Sequence, residues 1–251
     1  MIILILLLGA MLPHVTLTGY ANVGIINGTK AKSRPYMVSV QKNGQHICGG
    51  FLVSKQFVMT AAHCFENGVK LTVVVGAHDL NRRSDHIAVK FYHIHPGYDS
   101  AKLLNDIMIL QLNKITENRE NVKSISIPQK DMNIKANSKC SVAGWGAQKT
   151  NGSPSKQLME VNVTIVDNKK CKKKWDKQTT SRMVCTFGEG GFCQGDSGGP
   201  LVCDGTAVGV VSFNEKNNCD KPKVPNVYTR ISKFLTWINA ILGGVKQDSD
   251  Y

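Results

Sequence analysis

Three short stretches of this 251-residue chain carry residues suited to acyl-transfer chemistry. The first is Gly195-Asp196-Ser197-Gly198-Gly199-Pro200. A serine hydroxyl is a poor nucleophile until an adjacent base takes its proton. It also needs donors aimed at the oxyanion that forms. The glycines around Ser197 let backbone N–H groups approach a substrate closely. The second stretch is Thr60-Ala61-Ala62-His63-Cys64. A histidine that ends an apolar run beside a cysteine suits a positioned base. The third is Asn105-Asp106-Ile107-Met108-Ile109-Leu110. An aspartate opening an apolar run is usually an exposed strand-end residue, but it can also be a buried carboxylate orienting an imidazole. The three follow one another in the order His, Asp, Ser.

Such groups need a frame. Short alternating apolar runs recur from Tyr36 to Leu112 and again from Gln157 to Ile231. Turn pairs punctuate them, among them Asn43-Gly44 and Asp204-Gly205. The spacing reads as all-β, sandwich or barrel. Phe234, Trp237, Ile238 and Ile241 fall at helical spacing, so one packing helix closes the chain. The largely polar segment Glu117 to Ser138 reads as an inter-domain link.

The N-terminus, residues 1–21, reads as a cleaved signal peptide. Its apolar run is short for a membrane anchor, and no other segment looks transmembrane. Eight cysteines in an exported chain suggest disulfides, although 105 pairings are possible. Lys and Arg total 31 against 18 Asp and Glu, a net charge of +13. A sulfated glycan is therefore a candidate partner. With 7 % aromatic residues and no stacking motif, a specific nucleic-acid partner is not expected.

Taken together, these motifs resemble those of the chymotrypsin-like serine proteases, over essentially everything after residue 24. Further landmarks agree: Ile25-Ile26-Asn27-Gly28 as a mature start, Gly144-Trp145-Gly146, Ser212 and Pro225-Asn226-Val227-Tyr228. Within that family the chain most resembles granule-associated members, the granzymes, mast-cell proteases and duodenase. The resemblance implies two packed six-stranded antiparallel Greek-key β-barrels with a C-terminal helix. It divides the chain into a pro-segment at 22–24, an N-terminal half at 25–134 and a C-terminal half at 135–251. It implies a Ser197, His63 and Asp106 triad, an oxyanion hole from the N–H groups of Gly195 and Ser197, and support of Asp106 by Ser212. It pairs Cys48 with Cys64, Cys140 with Cys203, Cys171 with Cys185 and Cys193 with Cys219.

Activation in the family buries a new amino terminus, here Ile25, against the aspartate before the nucleophile, here Asp196. Gly24 precedes Ile25, so an activator with trypsin-like specificity is not expected. The primary pocket should involve Gly191, Phe192, Phe213, Asn214 and Asn226. With Gly191 rather than a carboxylate at its base, cleavage after Lys or Arg is not expected. Asn214 and Asn226 should narrow the pocket and favour small to medium, uncharged P1 residues. The implied protein is a secreted or granule-stored monomer that meets protein substrates and protease inhibitors. The alternative is a catalytically weak member acting as a basic antimicrobial or glycan-binding protein. No cofactor or metal is expected: Ala77 stands where some relatives begin a calcium loop, and His93 and His95 read as surface residues. Asn27, Asn151 and Asn162 head candidate glycosylation sequons.

Overall fold

The computed structural model describes residues 25–82, 84, 86–114, 116, 121–176 and 178–244. The expected signal peptide, the pro-segment and the polar C-terminal tail lie outside the described residues.

Strands β2 (Met37–Lys42), β3 (Gln45–Leu52), β4 (Phe57–Thr60), β5 (Leu71–Val75), β6 (His86–Ile94) and β7 (Met108–Leu112) close one barrel in the order β2-β3-β4-β7-β6-β5. Strands β8 (Lys139–Gly144), β9 (Met159–Val166), β10 (Met183–Phe187), β11 (Pro200–Cys203), β12 (Thr206–Phe213) and β13 (Asn226–Arg230) form the second. Their order is β9-β10-β13-β12-β11-β8, and a β8–β9 ladder closes the ring. All described ladders between named strands are antiparallel. Two tight turns follow directly from sequence. Asn43-Gly44 (φ 51° and 75°) and Asp204-Gly205 (φ 48° and 73°) take the left-handed conformations that a two-residue hairpin requires.

Each barrel has its own apolar core, one around Phe51, Met59 and Leu110, the other around Val142, Leu201 and Tyr228. The two ends of the described segment cross between them. Strand β1 (Thr29–Lys30) pairs with β9 of the second ring, and Ile25 is buried in that ring's core. Ile231, Phe234 and Ile238 pack into the core of the first. Residues 25–30 belong with the second ring because its β9 edge offers unpaired backbone groups, and the C-terminal helix α2 (Leu235–Gly244) turns its apolar stripe onto the first.

A second helix, α1 (Asn168–Lys174), was not expected from the sequence. Its lysines hide any apolar periodicity. Asp167 caps it by accepting from the N–H groups of Lys169 and Lys170, and buried Cys171 ties it to Cys185 on β10. The other disulfides are Cys48–Cys64, Cys140–Cys203 and Cys193–Cys219. Among the described residues no helix is long and apolar enough to cross a membrane.

Candidate active site

The site lies on the seam between the rings. Strand β4 is buried throughout and delivers His63 on a single 3-10 turn, Ala62–Cys64, which the Cys48–Cys64 disulfide ties to β3. Asp106 precedes the fully buried β7 and is itself 0 % exposed. Its Oδ2 lies 2.7 Å from His63 Nδ1, and its Oδ1 accepts from the His63 backbone N–H at 3.0 Å. The second ring completes its surroundings. Ser212 on β12 donates to Asp106 Oδ2 at 2.5 Å, and Thr229 on β13 donates to the Asp106 carbonyl at 2.8 Å. A carboxylate on Nδ1 holds the proton there, leaving Nε2 with the free lone pair of a base.

Ser197 sits between Gly195 (φ 94°) and Gly198 (φ 83°). Gly49 N–H donates to the Ser197 carbonyl at 2.8 Å, and Gly198 N–H to the Val211 carbonyl at 2.8 Å. A Cβ on Gly198 would strike Thr60 Oγ1 and stand 2.9 Å from the Ala61 nitrogen. Glycine there is what lets the serine turn press against the strand that carries His63. The Ser197 hydroxyl is not hydrogen-bonded to His63 in this state, whose ring partner is Asp106. Such contacts are commonly loose before substrate binds. Among the described residues the N–H groups of Gly195 and Ser197 have no internal acceptor and remain free to donate.

His46, Ser39 and Gln41 were not singled out from sequence, yet they brace Gly195. Gln41 Nε2 donates to Ser39 Oγ at 3.1 Å, and Ser39 Oγ lies 2.9 Å from His46 Nδ1. His46 Nε2 lies 2.9 Å from the Gly195 carbonyl. A carbonyl can only accept, so His46 carries its proton on Nε2 and Ser39 donates to Nδ1. Burial holds the imidazole down at about 4, so it is neutral at ordinary pH. No motif betrays this chain of donors, because its members are scattered along two strands and meet Gly195 only after folding.

Asp196 is the other buried carboxylate, 0 % exposed. Gly146 N–H donates to Oδ1 at 2.8 Å and Cys193 N–H to Oδ2 at 3.0 Å. A Cβ at either Gly144 or Gly146 would collide with its carboxylate, which explains that Gly-Trp-Gly motif. Burial pushes the Asp196 carboxyl up to about 7 against the pull of those two donors. Among the described residues no cationic side chain pairs with it. Ile25 is fully buried in the second core with φ 56°. Ile26 and Gly191 exchange backbone hydrogen bonds at 2.9 and 3.3 Å, tying the expected mature start to the expected pocket base.

The expected pocket residues divide. Asn226 is 3 % exposed and its amide lies over Gly191, where a Cβ would strike Nδ2. Its Oδ1 is buried without a partner. Asn214 Nδ2 donates to the Phe192 carbonyl at 2.9 Å. The Phe192 ring itself turns into the second core, edge-on to Tyr228 at 5.2 Å, so this residue offers the site its carbonyl and not its side chain. An aromatic ring gains more from that apolar core than from a wet cleft. Phe213 packs edge-on against Trp175 at 5.1 Å, and Trp175 donates to the Pro225 carbonyl at 2.8 Å.

One cluster, Cys48, His63 and Cys64, brings metal-ligating atoms within 4.8 Å of one another. Both sulfurs are spent in a disulfide and have no thiolate to offer. His95 is edge-on to Phe234 and Trp237 at 5.1 and 5.2 Å.

Comparison with known proteins agrees with this geometry. The Trypsin family model matches residues 25–238. Human (Homo sapiens) azurocidin is 38 % identical over 229 residues, covering 87 % of this chain and 86 % of its own. Duodenase-1 of Bos taurus is 37 % identical over 258 residues, covering 98 % of each. In structure, neuropsin, a serine protease expressed in the limbic system of mouse brain, superposes with a TM-score of 0.81 at 32 % identity, covering 87 % of this chain and 100 % of its own. The chain belongs to the trypsin family and is a chymotrypsin-like serine endopeptidase of the granule-protease kind.

Proposed function

We propose that Ser197, His63 and Asp106 hydrolyse peptide bonds after small to medium, uncharged P1 residues, once cleavage before Ile25 has switched the site on. The observation that carries the chemistry is the Asp106 carboxylate, which engages His63 Nδ1 and leaves Nε2 basic. Ser197 Oγ attacks the scissile carbonyl as Nε2 takes its proton, and the N–H groups of Gly195 and Ser197 receive the oxyanion. The imidazolium then protonates the leaving amine. Water repeats the sequence on the acyl-enzyme.

Specificity rests on Asn226. Its amide lies over Gly191, in the space that a large aromatic P1 side chain would need, and among the described residues no carboxylate lies within 4 Å of a Cβ there to receive Lys or Arg. A peptide library varied at P1 tests this: Ala, Val or Thr should lead, and a preference for Arg or Phe would overturn the reading. The same amide favours a second reading, a basic binding protein with a dormant triad. Failure of Ser197 to react with a fluorophosphonate would decide for it.

The basic surface is read as a site for a sulfated glycosaminoglycan. Lys169, Lys170, Lys172, Lys173 and Lys174 are all exposed on α1. Replacing them with Gln should bring elution from a sulfated-polysaccharide resin to lower salt. Unchanged elution would place the charge that matters elsewhere.

A further inference from the structure

The outer face of β9 carries a groove of about 460 Å3 that the catalytic reading leaves unused. Asn162, Thr164 and Phe187 line it. Alternate residues of a strand share a face, so Asn162 and Thr164 point the same way. Phe187 stands opposite Thr164 in the β9–β10 ladder and so projects from that face too. That puts it diagonal to Asn162, a separation of roughly 7–8 Å between paired positions. Asn162 is exposed, and Phe187 keeps 45 % of its surface in water.

Asn162-Val163-Thr164 is a sequon, and its acceptor residue shares the groove with the exposed ring. Asn27 lines the same groove, but the other two sequons are less open to a sugar. Asn27 Nδ2 already donates to the Glu189 carbonyl at 2.5 Å, two residues from buried Ile25. Asn151 sits in a left-handed turn with Pro154 directly after its sequon.

We propose that Asn162 carries an N-linked glycan and that Phe187 is the platform for its first N-acetylglucosamine. The donor is an oligosaccharide on a lipid pyrophosphate. The Asn162 amide nitrogen bonds to the sugar C1 as the C1–O bond to the pyrophosphate breaks. The amide loses one proton to the transferase's base, and the lipid pyrophosphate leaves. The reaction belongs to the lumen of the secretory pathway, the compartment in which the chain's four disulfides also form. The C–H face of the sugar then covers the Phe187 ring, removing apolar surface from water.

The test uses the full chain secreted from a eukaryotic host. Enzymatic deglycosylation in 18O-water converts each glycosylated Asn to labelled Asp, which peptide mass mapping locates. The label should fall on Asn162 and vanish in Asn162→Gln. A label confined to Asn27 or Asn151, or none, overturns the site. Deglycosylation should lower the Tm of the wild-type chain by about 2–4 °C, the loss should shrink below about 1 °C in Phe187→Ser, and Phe187→Trp should restore it. An equal loss in wild type and Phe187→Ser overturns the platform.

Discussion

Asp106 and Asp196 are both sealed from water, yet their surroundings differ in kind. Asp106 receives an imidazole, a backbone N–H and the Ser212 hydroxyl, drawn from both barrels. Asp196 receives two backbone N–H groups and no cationic side chain among the described residues, and its carboxyl is pushed up to about 7. A buried carboxylate without a cation is under-compensated. The first cluster is thus a finished device, the second an incomplete one. Under the proposed activation, a new α-ammonium group at Ile25, which is buried in the second core, would complete it. In the proposed reading, the contrast separates the part that performs the chemistry from the part that permits it.

The contrast breaks most sharply at the finished site. Ser197→Ala should cost on the order of 10^4–10^6 in kcat, and Asp106→Asn about 10^4, because a carboxamide can no longer fix the His63 tautomer. Peptide turnover on folded variants checks both. At the incomplete site, Asp196→Asn should leave the triad hydrogen bonds in place and lower kcat by roughly 10^2–10^3 through a disordered oxyanion hole.

Stability against pH sharpens the comparison further. Asp196 in the uncleaved chain has a raised pKa, so its contribution is full below the ordinary carboxylate range and is lost as pH rises through about 7. His46 has a depressed pKa, so its contribution is full above 6.5 and is lost as pH falls through about 4. The two oppose each other and flatten the wild-type profile. Asp196→Asn should therefore gain stability as pH climbs from 4.5 to 6.5, and His46→Asn should lose it, each by roughly 3 kcal/mol. Urea denaturation across that range measures both slopes, and parallel slopes would refute the assignment. The smallest effect is expected at the pocket: Asn226→Gly should raise turnover of a P1 Phe substrate by about 10- to 200-fold.

Much of this was legible because it is local. The glycines around Ser197, the His63-Cys64 pair and the Asp106 strand opening each sit within a few residues, and hairpin turns such as Asp204-Gly205 announce themselves. What was hidden depends on long-range closure. His46, held by Ser39, meets Gly195 only when β2 and β3 dock against the nucleophile turn. The Phe192 ring faces the core rather than the cleft, a choice made by Tyr228 at 5.2 Å and by nothing near it in sequence. Helix α1 escaped because its inward face is one cysteine among lysines.

The most direct test of the two-carboxylate account is the rate at which a fluorophosphonate labels Ser197 in the full chain and in a chain beginning at Ile25. Labelling should be on the order of 10^2 faster once the Ile25 ammonium is free, and acetylating that amine should return it to the uncut rate. Equal rates in all three forms would contradict the account.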